Sequence, residues 1–157
     1  MKILFTAFNG INNSSKILLD NINCPSDDKL YLKNSYITSV NQLKKKLNGN
    51  YDLIVSFGQA PLNPNHIKIE TQGTLSNTFT TNYDYNNLKK HLESLDFHVS
   101  ISNNAGRYFC NNIYYHGLKY IYENNLSTKM IFIHIPKIDN KTKFDLLSDN
   151  IKDFLNS

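Results

Sequence analysis

The chain has 157 residues, 40% apolar and 19% charged, with a net charge of +4, which suits one globular domain over 1–157 with a sizeable core. It contains no apolar run of about 18 residues, which excludes a membrane-spanning helix. Its start, Met1-Lys2-Ile3-Leu4-Phe5-Thr6, turns polar too soon for a secretory signal, so a cytoplasmic protein is expected. Arg107 is the single arginine, and bidentate reading of bases and phosphates favours arginine, so no nucleic-acid partner is expected. Lys44-Lys45-Lys46 reads as a solvated helix face. Cys24 and Cys110 lack metal-ligand spacing, no cofactor is implied, and a disulfide between them is not expected in a reducing compartment.

Taken in chain order, Lys2 to Thr6 reads as an apolar strand, followed by a turn through Phe8-Asn9-Gly10. Asn12-Asn13-Ser14-Ser15 can cap a helix over Lys16 to Asn21, because short polar side chains accept from the free N–H groups of a first turn. Pro25 to Lys29 reads as loop, Tyr31 to Val40 as strand, and Asn41 to Leu47 as a helix ended by Asn48-Gly49-Asn50. Tyr51 to Gly58 is a buried strand by its apolar run, and Ile67-Lys68-Ile69-Glu70 alternates like a short edge strand. Gly73 to Thr81 is polar and reads as a surface loop. A helix over Leu88 to Leu95, a strand over Phe97 to Ser102, the longest helix over Tyr108 to Asn124, a strand over Met130 to Ile135 and a terminal helix over Lys141 to Leu155 complete the chain. Strands alternating with helices predict an α/β fold, a three-layer αβα sandwich around a mainly parallel sheet. Sites in such sheets form beyond the carboxyl ends of strands, where the first turn, Gly58-Gln59-Ala60, Asn103 to Cys110, and His134 are all expected.

Two residues in that set carry chemistry. Cys110 follows Ser102-Asn103-Asn104-Ala105-Gly106 and opens the long helix. A helix N-terminus carries partial positive charge and free N–H groups, which lower a thiol pKa and can hold an oxyanion. His134, 24 positions later, ends a strand and can supply a base. Each residue alone is more often a matter of core packing. The pair in this order, each at an element's end, points toward a Cys/His enzyme.

The surrounding residues resemble a known family. Ala105-Gly106-Arg107-Tyr108-Phe109-Cys110 with Tyr114-Tyr115 resembles the nucleophile motif of pyroglutamyl-peptidase I, cysteine peptidases that remove N-terminal pyroglutamate. Ile131-Phe132-Ile133-His134-Ile135-Pro136 resembles the family's histidine strand, Lys2 to Phe8 its first strand and turn, and Ser56-Phe57-Gly58-Gln59-Ala60 its Gly-Gln-Ala turn. The resemblance implies an omega peptidase acting by acyl transfer on short pyroglutamyl peptides. Cys110 would be the nucleophile, His134 the acid and base, and a glutamate the third member. Glu70 is the best match, because it follows the eukaryotic pattern of an apolar-x-apolar-Glu run before a Gly, whereas the bacterial pattern would align Asn65, which could not carry the charge. The resemblance further implies a substrate pocket of Phe8, Ile11, Gln59, Tyr108 and Phe109, needs no metal or organic cofactor, and allows association of copies of the chain.

The chain also departs from the family. The usual Phe-x-Pro-Phe-Gly-Gly loop is Phe8-Asn9-Gly10-Ile11-Asn12-Asn13, and Pro61-Leu62-Asn63 follows the Gly-Gln-Ala turn. The chain is short for the family near its first helix and between Gly73 and Phe79. Three readings stand at this point: a pyroglutamyl peptidase, a cysteine hydrolase of the same fold with another substrate, and a non-catalytic binding module.

Overall fold

The computed structural model describes residues 1–48 and 50–156; Gly49, expected in a turn, lies outside them. Six strands form the central sheet in the order β2-β1-β3-β8-β4-β7. They are β1 (Ile3–Phe8), β2 (Lys29–Leu32), β3 (Leu53–Gln59), β4 (His66–Glu70), β7 (His98–Ser102) and β8 (Lys129–Ile135). A separate pair, β5 (Gln72–Thr74) and β6 (Thr78–Thr80), forms a small hairpin. The helices are α1 (Ser14–Asn21), α2 (Tyr36–Lys46), α3 (Asn86–Ser94), α4 (Phe109–Glu123) and α5 (Lys141–Asn156).

Strand alternation divides the core in two. Phe5, Val55, Ile131, Ile133, Ile67 and Ile69 face Leu18 and Leu19 of α1, Leu88 and Leu92 of α3, and Leu147 and Ile151 of α5. Leu4, Ile54, Met130 and Phe132 face Val40 and Leu43 of α2 and Ile113, Tyr114 and Leu118 of α4. The result is the expected αβα sandwich, because a sheet buried on both faces needs apolar residues at successive strand positions. The sheet is mainly parallel, with one reversal: β4 pairs antiparallel with β8 and carries β7 parallel to itself.

Four local expectations are corrected. The stretch from Tyr31 to Val40 is not one strand: β2 ends at Leu32 and α2 starts at Tyr36. Ser35 caps α2 by accepting from the Thr38 N–H at 3.1 Å, and Val40, Leu43 and Leu47 are buried at helical spacing, which outweighs the β-branched character of Ile37 and Thr38. Ile67 to Glu70 is not an edge strand but lies between β8 and β7. Its alternation arises because Ile67 and Ile69 join the α1/α3/α5 core while Lys68 and Glu70 occupy the other face. The carboxyl ends do not all share one edge either, since β4 and β7 run opposite to β1, β3 and β8.

The polar stretch from Gly73 to Thr81 is the fourth correction, being structured rather than loop. Asn111 of α4 accepts from the Thr74 N–H at 2.9 Å and donates to the Thr74 carbonyl at 2.7 Å, acting as a substitute strand partner. Asn82 does the same for β8, donating to the Thr128 carbonyl and accepting from the Met130 N–H, each at 3.1 Å. A side-chain amide presents an N–H and a C=O side by side, as a peptide group does, so asparagines outside this stretch can pair backbone that has no strand partner on that side.

Gly73 lets the hairpin lie against α4: a Cβ there would stand 2.5 Å from the Tyr115 nitrogen. Gly73→Ala should therefore force backbone apart and cost about 1–3 kcal/mol, the usual penalty of overpacking. In a domain of this size that corresponds to a Tm lower by roughly 2–12 °C, measurable by circular dichroism. An unchanged Tm would mean that the hairpin does not sit on α4.

Candidate active site

A cleft of about 280 Å³ opens over the α2/α4 side of the sheet, and Cys110, His134 and Glu70 all line it. The β4–β8 register explains how Glu70 gets there. Lys68 stands opposite His134 and Glu70 opposite Phe132, so Glu70 reaches His134 along a cross-strand diagonal. Glu70 Oε2 accepts from His134 Nδ1 at 3.0 Å, both side chains being buried. That bond holds the ring orientation and leaves Nε2 as the nitrogen available to the cleft. The ring also lies 4.9 Å from Phe132, centroid to centroid. Beneath the pair, the Tyr114 hydroxyl donates to the Glu70 carbonyl at 2.9 Å, which ties β4 to α4.

Cys110 arrives from the other direction. Ser102 of β7 pairs with Glu70, and the chain then turns through Gly106, whose φ of +92° suits a residue without Cβ. Cys110 is the second residue of α4, and Tyr108, at the N-cap, makes no side-chain capping hydrogen bond. The N–H groups there face no side-chain cap, as an oxyanion site requires. The sulfur rests on Gly58: a Cβ at that position would lie 2.7 Å from Sγ and 2.9 Å from the Phe132 ring. Gly58 in turn pairs with His134 across β3 and β8. Thiol and imidazole therefore occupy neighbouring positions on one face.

The electrostatics correct one expectation. The thiol pKa is not lowered: burial pushes it up to about 12, and the Glu70 charge adds to the effect. Although Cys110 as a residue is only half-buried, its sulfur is enclosed between Gly58 and the Phe132 ring, and desolvation of the anion outweighs the helix terminus.

The remaining expected site residues divide. Gln59 and Tyr108 line the cleft, and Gln59 Oε1 also accepts from the Ser14 N–H at 2.8 Å, capping α1. Phe8 is buried in the core and stacks on Phe109 at 5.5 Å, Phe109 meets Tyr36 at 4.5 Å, and neither Phe8 nor Phe109 lines the cleft. Ile11 is 93% exposed and does not line the cleft. Asn65 borders a different cavity, with Phe97 and Phe144. Lys68, which the sequence reading passed over, lines the cleft; its alternation with Glu70 was the available signal. A larger groove of about 760 Å³ beside Phe79 and Tyr122 has no Cys, His or charged residue in its walls. Among the described residues no group of three or more His, Cys, Asp or Glu side chains is placed to hold a metal. Among the described residues no helix is long and apolar enough to cross a membrane.

The sequence model of the family described as Pyroglutamyl peptidase matches residues 66–147, a span that contains Glu70, Cys110 and His134. The chain belongs to the pyroglutamyl peptidase family. That family comprises omega-peptidase hydrolases. Pyrrolidone-carboxylate peptidase 1 of Caldanaerobacter subterraneus subsp. tengcongensis is 29% identical over 191 aligned positions, covering 97% of this chain and 93% of that relative. An alignment longer than the chain itself means the relative carries insertions where this chain is short. The pyrrolidone-carboxylate peptidase of Brachyspira hyodysenteriae is 37% identical over 62 residues, 40% of this chain and 31% of the relative. In fold, a mutant pyrrolidone carboxyl peptidase from Pyrococcus furiosus superposes with a TM-score of 0.80 at 19% identity, covering 99% of this chain and 97% of that one. Pyroglutamyl peptidase I of Bacillus amyloliquefaciens gives 0.79 at 18% identity, over 90% and 85%.

A thiol held up to about 12 is protonated at neutral pH, and its thiolate fraction grows about tenfold per pH unit below that value. Alkylation of Cys110 by iodoacetamide, followed by peptide-resolved mass spectrometry, should therefore keep accelerating through about pH 9. A plateau below about pH 7 would instead reveal a preformed thiolate–imidazolium pair.

Proposed function

We propose that this chain is a cysteine peptidase that removes N-terminal pyroglutamate from peptides by acyl transfer. The observation that carries the reading is the shared cleft of Cys110, His134 and Glu70, with imidazole and carboxylate joined at 3.0 Å. His134 Nε2 takes the Cys110 proton as Sγ bonds to the carbonyl carbon, and the oxyanion is held by backbone N–H groups at the start of α4. Such donors are worth about 3 kcal/mol each in acyl-transfer enzymes. The imidazolium then protonates the leaving amine as the C–N bond breaks, leaving a thioester. Water adds next, giving its proton to His134; the C–S bond breaks and the thiol is reprotonated. Glu70 orients the ring and offsets its charge in both halves. A high resting thiol pKa suits this order, with the proton moving during attack. Action in the cytoplasm fits the two unpaired thiols, Cys24 and Cys110.

Gln59 and Tyr108 are the side chains assigned to the pyroglutamyl group. One observation favours a second reading, a cysteine hydrolase of the same fold with another substrate: Phe8 and Phe109 stack on each other and Ile11 is exposed, so the aromatic walls implied by the family are not open to a ligand. The two readings separate on lactam recognition. Rejecting proline requires groups that hydrogen-bond the lactam amide, which can discriminate by about 10⁴-fold, whereas apolar fit gives at most about 200-fold.

A pyroglutamyl fluorogenic amide, with prolyl and alanyl amides as controls, tests the proposal. The pyroglutamyl amide should be hydrolysed and the prolyl amide left essentially intact; comparable kcat/KM for both would favour the second reading. Cys110→Ser should lower turnover by at least about 10⁴-fold and Glu70→Gln by about 10²–10⁴-fold, with Asn65→Ala having little effect. Gly58→Ala, which places a methyl against Sγ, should cost about 10²-fold through misplacement of the nucleophile. Full activity in Cys110→Ser would reject the mechanism.

A further inference from the structure

The charge of the cleft is unbalanced. Lys68 and Arg107 both line it, and Lys137 borders an adjoining depression that shares residues 59–61 with it. Among the described residues, none of the three cations is ion-paired. The single carboxylate of the cleft, Glu70, is buried and already bonded to His134. Lys68 is half-buried and stands directly opposite His134 in the β4–β8 register, beside the imidazole that protonates the leaving amine.

We propose that this cationic rim recognises a carboxylate on the leaving side of the scissile bond, so that the preferred substrates are acidic or very short peptides. The proposal rests on the peptidase reading above. Its logic comes from the substrate: a pyroglutamyl group is a neutral lactam, it has no free amine, and nothing precedes it in the chain. Cations beside the acid/base imidazole therefore have no charge to meet on the acyl side. Any carboxylate they meet belongs to the residues that leave, either as an aspartyl or glutamyl side chain or as the terminal carboxylate of a peptide two or three residues long. Partly exposed pairs of this kind are worth a few-fold each and weaken with salt.

The test compares kcat/KM for four peptides: pyroglutamyl-aspartyl-alanine amide, pyroglutamyl-alanyl-alanine with a free terminal carboxylate, its neutral amide, and pyroglutamyl-lysyl-alanine amide. At least one carboxylate peptide should exceed the neutral amide by about three- to tenfold, and the lysyl peptide should fall below it. Which of the first two leads identifies the side chain or the terminus as the source. The acidic-to-neutral ratio should fall toward one in Lys68→Gln with Arg107→Gln, fall likewise in about 1 M salt, and recover in Lys68→Arg. Equal kcat/KM across the four peptides, with the neutral amide still hydrolysed, would overturn the proposal and leave the peptidase reading intact. Hydrolysis of none would reject that reading, and calorimetric titration of the same peptides into Cys110→Ser then decides: tighter binding of a carboxylate peptide upholds the cationic rim, and equal affinities overturn it.

Discussion

β4 enters the sheet against the direction of β8, with Lys68 opposite His134 and Glu70 opposite Phe132, and the site depends on that register. Side chains alternate along a strand, so a slip of one residue would send Glu70 into the α1/α3/α5 core and bring Ile69 to the imidazole. The slip is resisted from both sides. Ile67 and Ile69 are fully buried in one core, and Tyr114 holds the Glu70 carbonyl from the other. A buried carboxylate is tolerated only when it is paired, and removing one partner of such a pair typically costs about 3–5 kcal/mol. Here the partner is His134, and Glu70 Oε1 has no hydrogen-bond partner. The arrangement is costly for stability, as sites that hold a charge ready for chemistry commonly are.

The same face explains how Cys110 is held. Gly58, His134 and Glu70 lie on neighbouring strands β3, β8 and β4, and the missing side chain at Gly58 is what admits the Cys110 sulfur. Enclosure there raises the thiol pKa, so the helix terminus and the burial act in opposite directions on one atom. Burial wins because the sulfur is wedged against a backbone and an aromatic ring rather than facing water.

Much of this was legible in the linear chain. The apolar runs of β1, β3 and β8 and the periodicity of α4 and α5 identify themselves, because each is buried along its length. The segment from Ala105 to Cys110 and the interval to His134 point to Cys/His chemistry and to the family. Errors fell where polar side chains do structural work. The hairpin from Gln72 to Thr80 looks like loop because its two strands are only three residues long and largely polar, and the bonds by which Asn111 holds its backbone leave no periodicity. Tyr36 to Val40 looks like strand because β-branched residues are frequent there, yet Ile37 is 76% exposed and the register of Val40, Leu43 and Leu47 decides for helix. The pocket residues carried over by resemblance separate in the same way: Gln59 and Tyr108 meet the cleft, Phe8 and Phe109 close on each other, and Ile11 faces solvent.

By itself the sequence determined that this is an α/β chain with a cysteine opening its longest helix and a histidine near the end of an apolar strand. Those features are local, set by hydrophobic period and by residue type at an element's end. Tertiary structure alone decided that Glu70, rather than Asn65, bonds the histidine, that burial pushes the thiol pKa up, and that Lys68 faces the same cleft. Each of these depends on strand order and direction. A single antiparallel junction between β4 and β8 sets which side chains share a face, and pairing between segments more than 60 residues apart leaves no trace in local pattern.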